Sequence, residues 1–130
     1  MGECDGELKR SLERLIGQLR QGIVVVEGKH DVDALRELGV TAFNCNSIEK
    51  INGYADGSTF YMLFDADKGG DEKFAKAASI VYERYPHSRI NTYARKRLFG
   101  ILGIKCVEEA VSPAKEILEI GNKIKVKSKK

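Results

Sequence analysis

Hydrophobic positions along this chain follow two alternating rhythms. Leu8, Leu12, Leu15, Ile16 and Leu19 fall at i, i+4, i+7, i+8 and i+11, one face of a helix over about residues 6–20, which Gly22 stops. GIVVV follows, an unbroken β-branched run of the kind that fills a strand buried on both faces, and it ends at Glu27-Gly28. A helix over about 30–38 turns Val32, Leu35 and Leu38 inward and stops at Gly39. VTAFNC, 40–45, reads as a short strand. Ser47 then caps a short helix through Ile51, ended by Asn52-Gly53. STFYMLF, 58–64, is the next strand, and a helix from about Asp71 to Tyr85 closes at Pro86. SRIN, 88–91, is a weak fourth strand, and TYARKRLFGILG, about 92–103, a helix with a basic side. KCVEEA reads as a short strand or a turn. SPAKEILEIG is a last helix, with Ser112 as cap and Pro113 at its first position.

Strands alternating with helices predict an α/β protein with a parallel sheet covered on both faces. Such sheets bind ligands outside the carboxyl ends of their strands. Two stretches put acids there. In VVVEGKHD, 24–31, the first strand delivers Glu27, Gly28 lets the backbone turn, and Asp31 lies four residues on. In LFDADKGG, 63–70, the i, i+2 alternation of extended chain aims Asp65 and Asp67 at one point. Gly69 and Gly70 permit a tight turn and close approach by a ligand. Asp71 and Glu72 suit the positive end of the following helix. Two convergent aspartates with a carboxylate from another strand make a hard, oxygen-rich site that suits Mg2+ or Mn2+ rather than zinc. Each element alone is weak. Their strength is that both follow strands, 38 residues apart.

The 130 residues predict one domain: an N-terminal helix over 1–20 packed on a body of 21–120, with 121–130 as a basic tail. Cys4, Cys45 and Cys106 are odd in number and far apart, which argues against a disulfide framework or a zinc site. With no span-length apolar segment and no apolar signal core, the expected compartment is the cytoplasm, without membrane contact. The net charge of +3 conceals an asymmetry. The tail, GNKIKVKSKK, holds five lysines and no acid, while residues 1–120 carry 17 basic and 19 acidic side chains, a net of −2. Such a tail either attracts phosphate backbones or is a solvated terminus.

The strand-Glu-Gly-x-x-Asp and strand-DxD-x-x-Gly elements resemble the two signatures of the Toprim domain. That domain is shared by type IA and type II topoisomerases, bacterial primases, recombination-repair proteins and a ribonuclease that matures ribosomal RNA. Glu27 matches the family's glutamate, Asp65 and Asp67 its DxD pair, and Gly70 the glycine that follows; Asp71 stands where topoisomerase IA-type sequences carry a further acid. The resemblance covers about residues 20–112. It implies a Rossmann-like three-layer sandwich, a four-stranded, mainly parallel sheet between helices. The chain is most similar to small stand-alone Toprim proteins and to the Toprim part of that ribonuclease, whose EGKxD and VE-x-x-SPE-like segments compare with EGKHD and, one residue longer, with 107–113.

The resemblance implies Mg2+- or Mn2+-dependent phosphodiester chemistry on nucleic acid, RNA rather than DNA, in RNA processing or cleavage. Asp65 and Asp67 bind the metal in this reading. Glu27 is the general acid/base or a ligand of a second ion, and Asp31, Asp71, Gly28 and Gly70 support the cluster. The chain has no room for the separate tyrosine-bearing and gate domains of a topoisomerase. Lys29 and Lys68 flank the acids as candidates for phosphate or transition-state charge. Asn46 could hydrogen-bond a phosphate. Arg95, Lys96 and Arg97 spread over about 200° of a helix, so they do not form one face, and read either as phosphate contacts or as a solvated side. His30 is a proton carrier or a plain surface residue, and His87 a turn residue. Two other expectations stay open: a non-catalytic nucleic-acid or partner-binding module that retains a Toprim metal site, and a phosphotransferase or hydrolase of a small nucleotide. In any of these roles a protein partner or larger complex is a further expectation.

Overall fold

The computed structural model of the chain describes residues 2–51, 55–65 and 68–119, with side chains for all of these except 2–5 and 68. Its elements are α1 (Gly2–Arg20), β1 (Ile23–Val26), α2 (Lys29–Glu37), β2 (Ala42–Asn44), a 3-10 segment (Cys45–Lys50), β3 (Thr59–Met62), α3 (Lys68–Arg84), β4 (Arg89–Asn91) and α4 (Tyr93–Leu102). A 3-10 turn (Val107–Glu109) leads into a helix over 111–119, here α5. KCVEEA is therefore a turn. The last helix starts before Ser112, so Pro113 sits third, still in the first turn where its missing N–H costs nothing. The expected Asn52-Gly53 stop and the 121–130 tail lie outside the described residues.

The four strands form one sheet in the order β2-β1-β3-β4, every neighbouring pair parallel. Val24, Val25 and Val26 are fully buried, as an unbroken β-branched run in a parallel sheet should be. Alternation divides the strands between two cores. Val24, Val26, Tyr61 and Leu63 pack on one face with Leu12, Leu15, Ile16 and Leu19 of α1, with Leu35 of α2, and with Leu98 and Phe99 of α4. Ile23, Val25, Phe60, Met62 and Phe64 pack on the other with Ile48 of the 3-10 segment, Ala77 and Val81 of α3, and Tyr85 just past its end. The fold is thus an α/β three-layer sandwich. Leu8, counted with the inward face of α1, is 38% exposed.

The second core carries a polar tie. Tyr85 is buried, stacks on Phe60 with ring centroids 5.3 Å apart, and shares its O–H between the carbonyls of Ile48 (2.9 Å) and Ile51 (2.6 Å). Satisfying these carbonyls matters because a buried polar group left unpaired costs about 1–3 kcal/mol. Gly39 and Gly103 close α2 and α4 with left-handed backbone (φ 79° and 66°), the conformation that makes glycine a helix stop.

The strand order has a functional corollary. From β1 the chain crosses to β2 over the first face; it then returns past β1 to β3 and on to β4 over the second. The reversal falls between β1 and β3, so their connecting segments leave on opposite faces and open a crevice at the carboxyl edge.

Candidate active site

Glu27 directly follows β1, and Asp65 closely follows β3. The β1–β3 ladder pairs Val25 with Met62 and continues as the Leu63 N–H donates to the Val25 carbonyl (2.9 Å), bringing both acids to one height. The Glu27 carboxylate then finishes the ladder itself: its Oε2 accepts the Asp65 backbone N–H at 2.6 Å. Its Oε1 faces Lys73 Nζ at 3.4 Å, and the Glu27 side chain is only 10% exposed. Asp65 Oδ1 accepts the N–H of Val107 at 3.3 Å, so the 3-10 turn after α4 closes one side of the crevice. Asp31, in the first turn of α2, is buried beneath, with backbone hydrogen bonds at Gly28 and Glu108.

These carboxylates disturb one another. Burial, then the charge of Glu27, then a hydrogen bond shared with the Glu27 carboxyl push Asp65 up to about 6; Asp31 adds to this, and the Val107 N–H opposes it. Burial also raises Asp31, helped by Glu27 and Glu108 and opposed by the Gly28 hydrogen bond. Burial first and like charge second disfavour the ionised form of Asp65 and Asp31.

Asp67 and the side chain of Lys68 lie outside the described residues. Among the described residues, no three Asp, Glu, His or Cys side chains are grouped as a metal ion would need. The pair Glu27 and Asp65 still fits a hard dication, since Mg2+ commonly takes one or two protein carboxylates, and a cation would offset both the burial and the like charge that raise Asp65. At Glu27 it would compete with Lys73.

The remaining expected residues divide. Asn46 lines a cleft of about 430 Å3 beside Glu27, with Cys45, Glu49, Lys73, Lys76 and Ile80. The Cys45 thiol donates to the Glu27 carbonyl (3.6 Å), and burial raises its pKa. Arg95 reaches the edge of the site, its guanidinium donating to the Phe64 carbonyl at 3.5 Å. Lys96 is exposed and Arg97 half-buried, turned about 100° and 200° around α4 from Arg95, so the three basics do diverge. Lys29 and His30 are exposed at the start of α2, and no ion pair joins Lys29 to an acid among the described residues. Asp71 is exposed in the first turn of α3, while the charges that act most on Asp65 are those of Glu27 and Asp31. His87 pairs with Asp56 at 2.8 Å, a turn contact before β4 and away from the acids.

Two glycine roles need correction. Gly70 is not in a ligand-binding turn. Helix α3 starts three residues earlier than expected, and a β-carbon at Gly70 would run into the Asp65 carbonyl oxygen. Glycine there lets the helix pack on the strand end. Gly28 is extended (φ −156°) with open space where a β-carbon would go, so no sharp turn depends on it. The hydrophobic pattern also missed Lys73. Helical spacing counted from Lys68 would have put Gly70, Phe74, Ala77 and Val81 on one inward face with Lys73 at its margin. The N–H of Val107 left no side-chain signal at all.

No protein-family pattern matches the chain, and no curated protein matches it. Among solved structures, a protein from Aquifex aeolicus superposes with a TM-score of 0.62 at 19% identity, over 77% of this chain and 94% of that one. At that identity the likeness speaks for the fold: the chain is an α/β sandwich built on a four-stranded parallel sheet.

Proposed function

We propose that the chain is a Toprim-type enzyme performing Mg2+- or Mn2+-dependent phosphodiester chemistry on nucleic acid, RNA before DNA, in the cytoplasm. The observation that carries this reading is the convergence of Glu27 and Asp65 at the carboxyl ends of β1 and β3, with Asp65 raised to about 6 by burial and by its neighbour. A perturbed acid in a crevice is a functional-site signal. Asp65 and Asp67 would hold the cation, whose chemistry there would be to stabilise the charge that builds up in phosphoryl displacement. Glu27 is held by the Asp65 N–H at Oε2 and faces Lys73 at Oε1, the oxygen that takes a proton from the incoming nucleophile and returns one to the leaving oxygen. Lys73 balances the charge of Glu27 and offers a donor to a phosphate oxygen. Arg95, moored at the Phe64 carbonyl, offers another from the far side.

The test is cleavage of end-labelled structured RNA, single-stranded DNA and duplex DNA with Mg2+, with Mn2+ and with chelator. Glu27→Gln and Asp65→Asn run alongside. Metal-dependent cleavage lost in both variants is the expected result; cleavage that persists in chelator or in both variants refutes the assignment. A second reading, turnover of a small nucleotide, is favoured by the 430 Å3 cleft beside Glu27, which is of mononucleotide size. Phosphate release from nucleoside triphosphates without RNA cleavage would select it.

A further inference from the structure

Four strands end side by side along the carboxyl edge, and the residues just past those ends form a sequence in space. Asn46 follows β2, Glu27 follows β1, Asp65 follows β3 and Tyr93 follows β4. Three strand spacings make this row about 14 Å long. Its charge pattern is cationic, acidic, cationic. Lys73 and Lys76 line the cleft at the Asn46 end, where Glu49 is the opposing acid. Glu27, Asp31 and Asp65 occupy the middle. Arg95, donating to the Phe64 carbonyl, stands at the β4 end.

Tyr93 is the most exposed large hydrophobic side chain among the described residues, at 66%. It is rigidly mounted. The Asn91 side chain accepts the Ala94 N–H (2.9 Å), which fixes the first turn of α4, and Ala94, Leu98 and Phe99 anchor the helix in the core. Tyr93, Lys96 and Arg97 share its outward face at i, i+3 and i+4. An exposed aromatic flanked by cations is the arrangement on which an unpaired base stacks, and a duplex offers no such free face.

We infer that this edge is a track for single-stranded nucleic acid, with Tyr93 as a stacking platform for a base on one side of the acid pair and Lys73, Lys76 and Asn46 as a phosphate clasp on the other. The inference deepens the proposed function by naming its substrate as an unpaired strand, and it rests on that reading only for what happens between the two ends.

Binding of fluorescein-labelled oligo(U) RNA, oligo(dT) and a blunt RNA duplex to the full chain in chelator tests the track without cleavage. Both single strands should bind more tightly than the duplex. Tyr93→Ala should weaken single-strand binding about tenfold and leave the duplex unchanged, while Tyr93→Phe binds as the parent does. Replacing Lys73 and Lys76 by alanine should lower the salt slope by about 1.4. An unchanged melting temperature certifies that the variants fold. Tyr93→Ala binding like the parent, Tyr93→Phe as weak as Tyr93→Ala, or no binding of any probe would overturn the inference. Binding as described without cleavage keeps the track and removes the nuclease. Cleavage with binding indifferent to Tyr93 does the reverse.

Discussion

Asp65 sits where a carboxylate is least comfortable, and that discomfort can be measured. Its pKa is raised from an ordinary 3.8 to about 6, so between these values the folded chain holds a proton that the unfolded chain has lost. Stability is therefore fully present below about pH 4 and declines as pH rises through 6, and the raised Asp31 acts in the same sense. In chelator the melting temperature should fall as pH is taken from 4 to 7, and Mg2+ or Mn2+ should restore part of the loss at pH 7. Asp65→Asn removes the charge and keeps an acceptor for the Val107 N–H. It should flatten this pH dependence and melt a few degrees higher than the parent at pH 7 without metal, while losing cleavage. A lower melting point for Asp65→Asn would mean the acid is structural. Glu27 and Asp65 were legible in the sequence because each ends an apolar run. Lys73 and the Val107 N–H were not, because one depends on where a helix begins and the other is backbone brought from 42 residues away.

Where elements meet, two glycines make opposite predictions. Gly70 lets the first turn of α3 lie against the backbone of Asp65, and backbone cannot rotate aside as a side chain can. Gly70→Ala should cost at least the 1–3 kcal/mol typical of overpacking and should lose activity, since the displaced atoms belong to the acid itself. Gly28→Ala, with open space and an extended φ, should cost under about 1 kcal/mol. Urea denaturation of the pair checks both; equal losses would refute the distinction. The periodicities located nearly every element, but their ends less well. Acids at 71 and 72 look like a helix start, yet α3 begins at Lys68, and this moved Gly70 from an imagined loop into a helix–strand contact.

For the molecule as a whole, the alternation of strands and helices was enough to foresee a parallel sheet in three layers. The order β2-β1-β3-β4 was not written in any single segment; it emerges from which faces the connections cross. Charge is also a property of the whole. Residues 1–120 carry a net of −2 against five tail lysines, so the body alone should repel a polyanion at long range. Removing 121–130 should leave the melting temperature unchanged but weaken RNA binding at low salt, with the difference fading at high salt. A salt-independent loss would point to a specific contact instead. The hydrogen bond from Asp65 to Glu27 also bears on timing. It joins positions 38 residues apart and forms only once β1 and β3 have met. A nascent or partly unfolded chain therefore carries the acids but not their constellation. Any chemistry that needs the two acids together has to wait until the centre of the sheet has assembled.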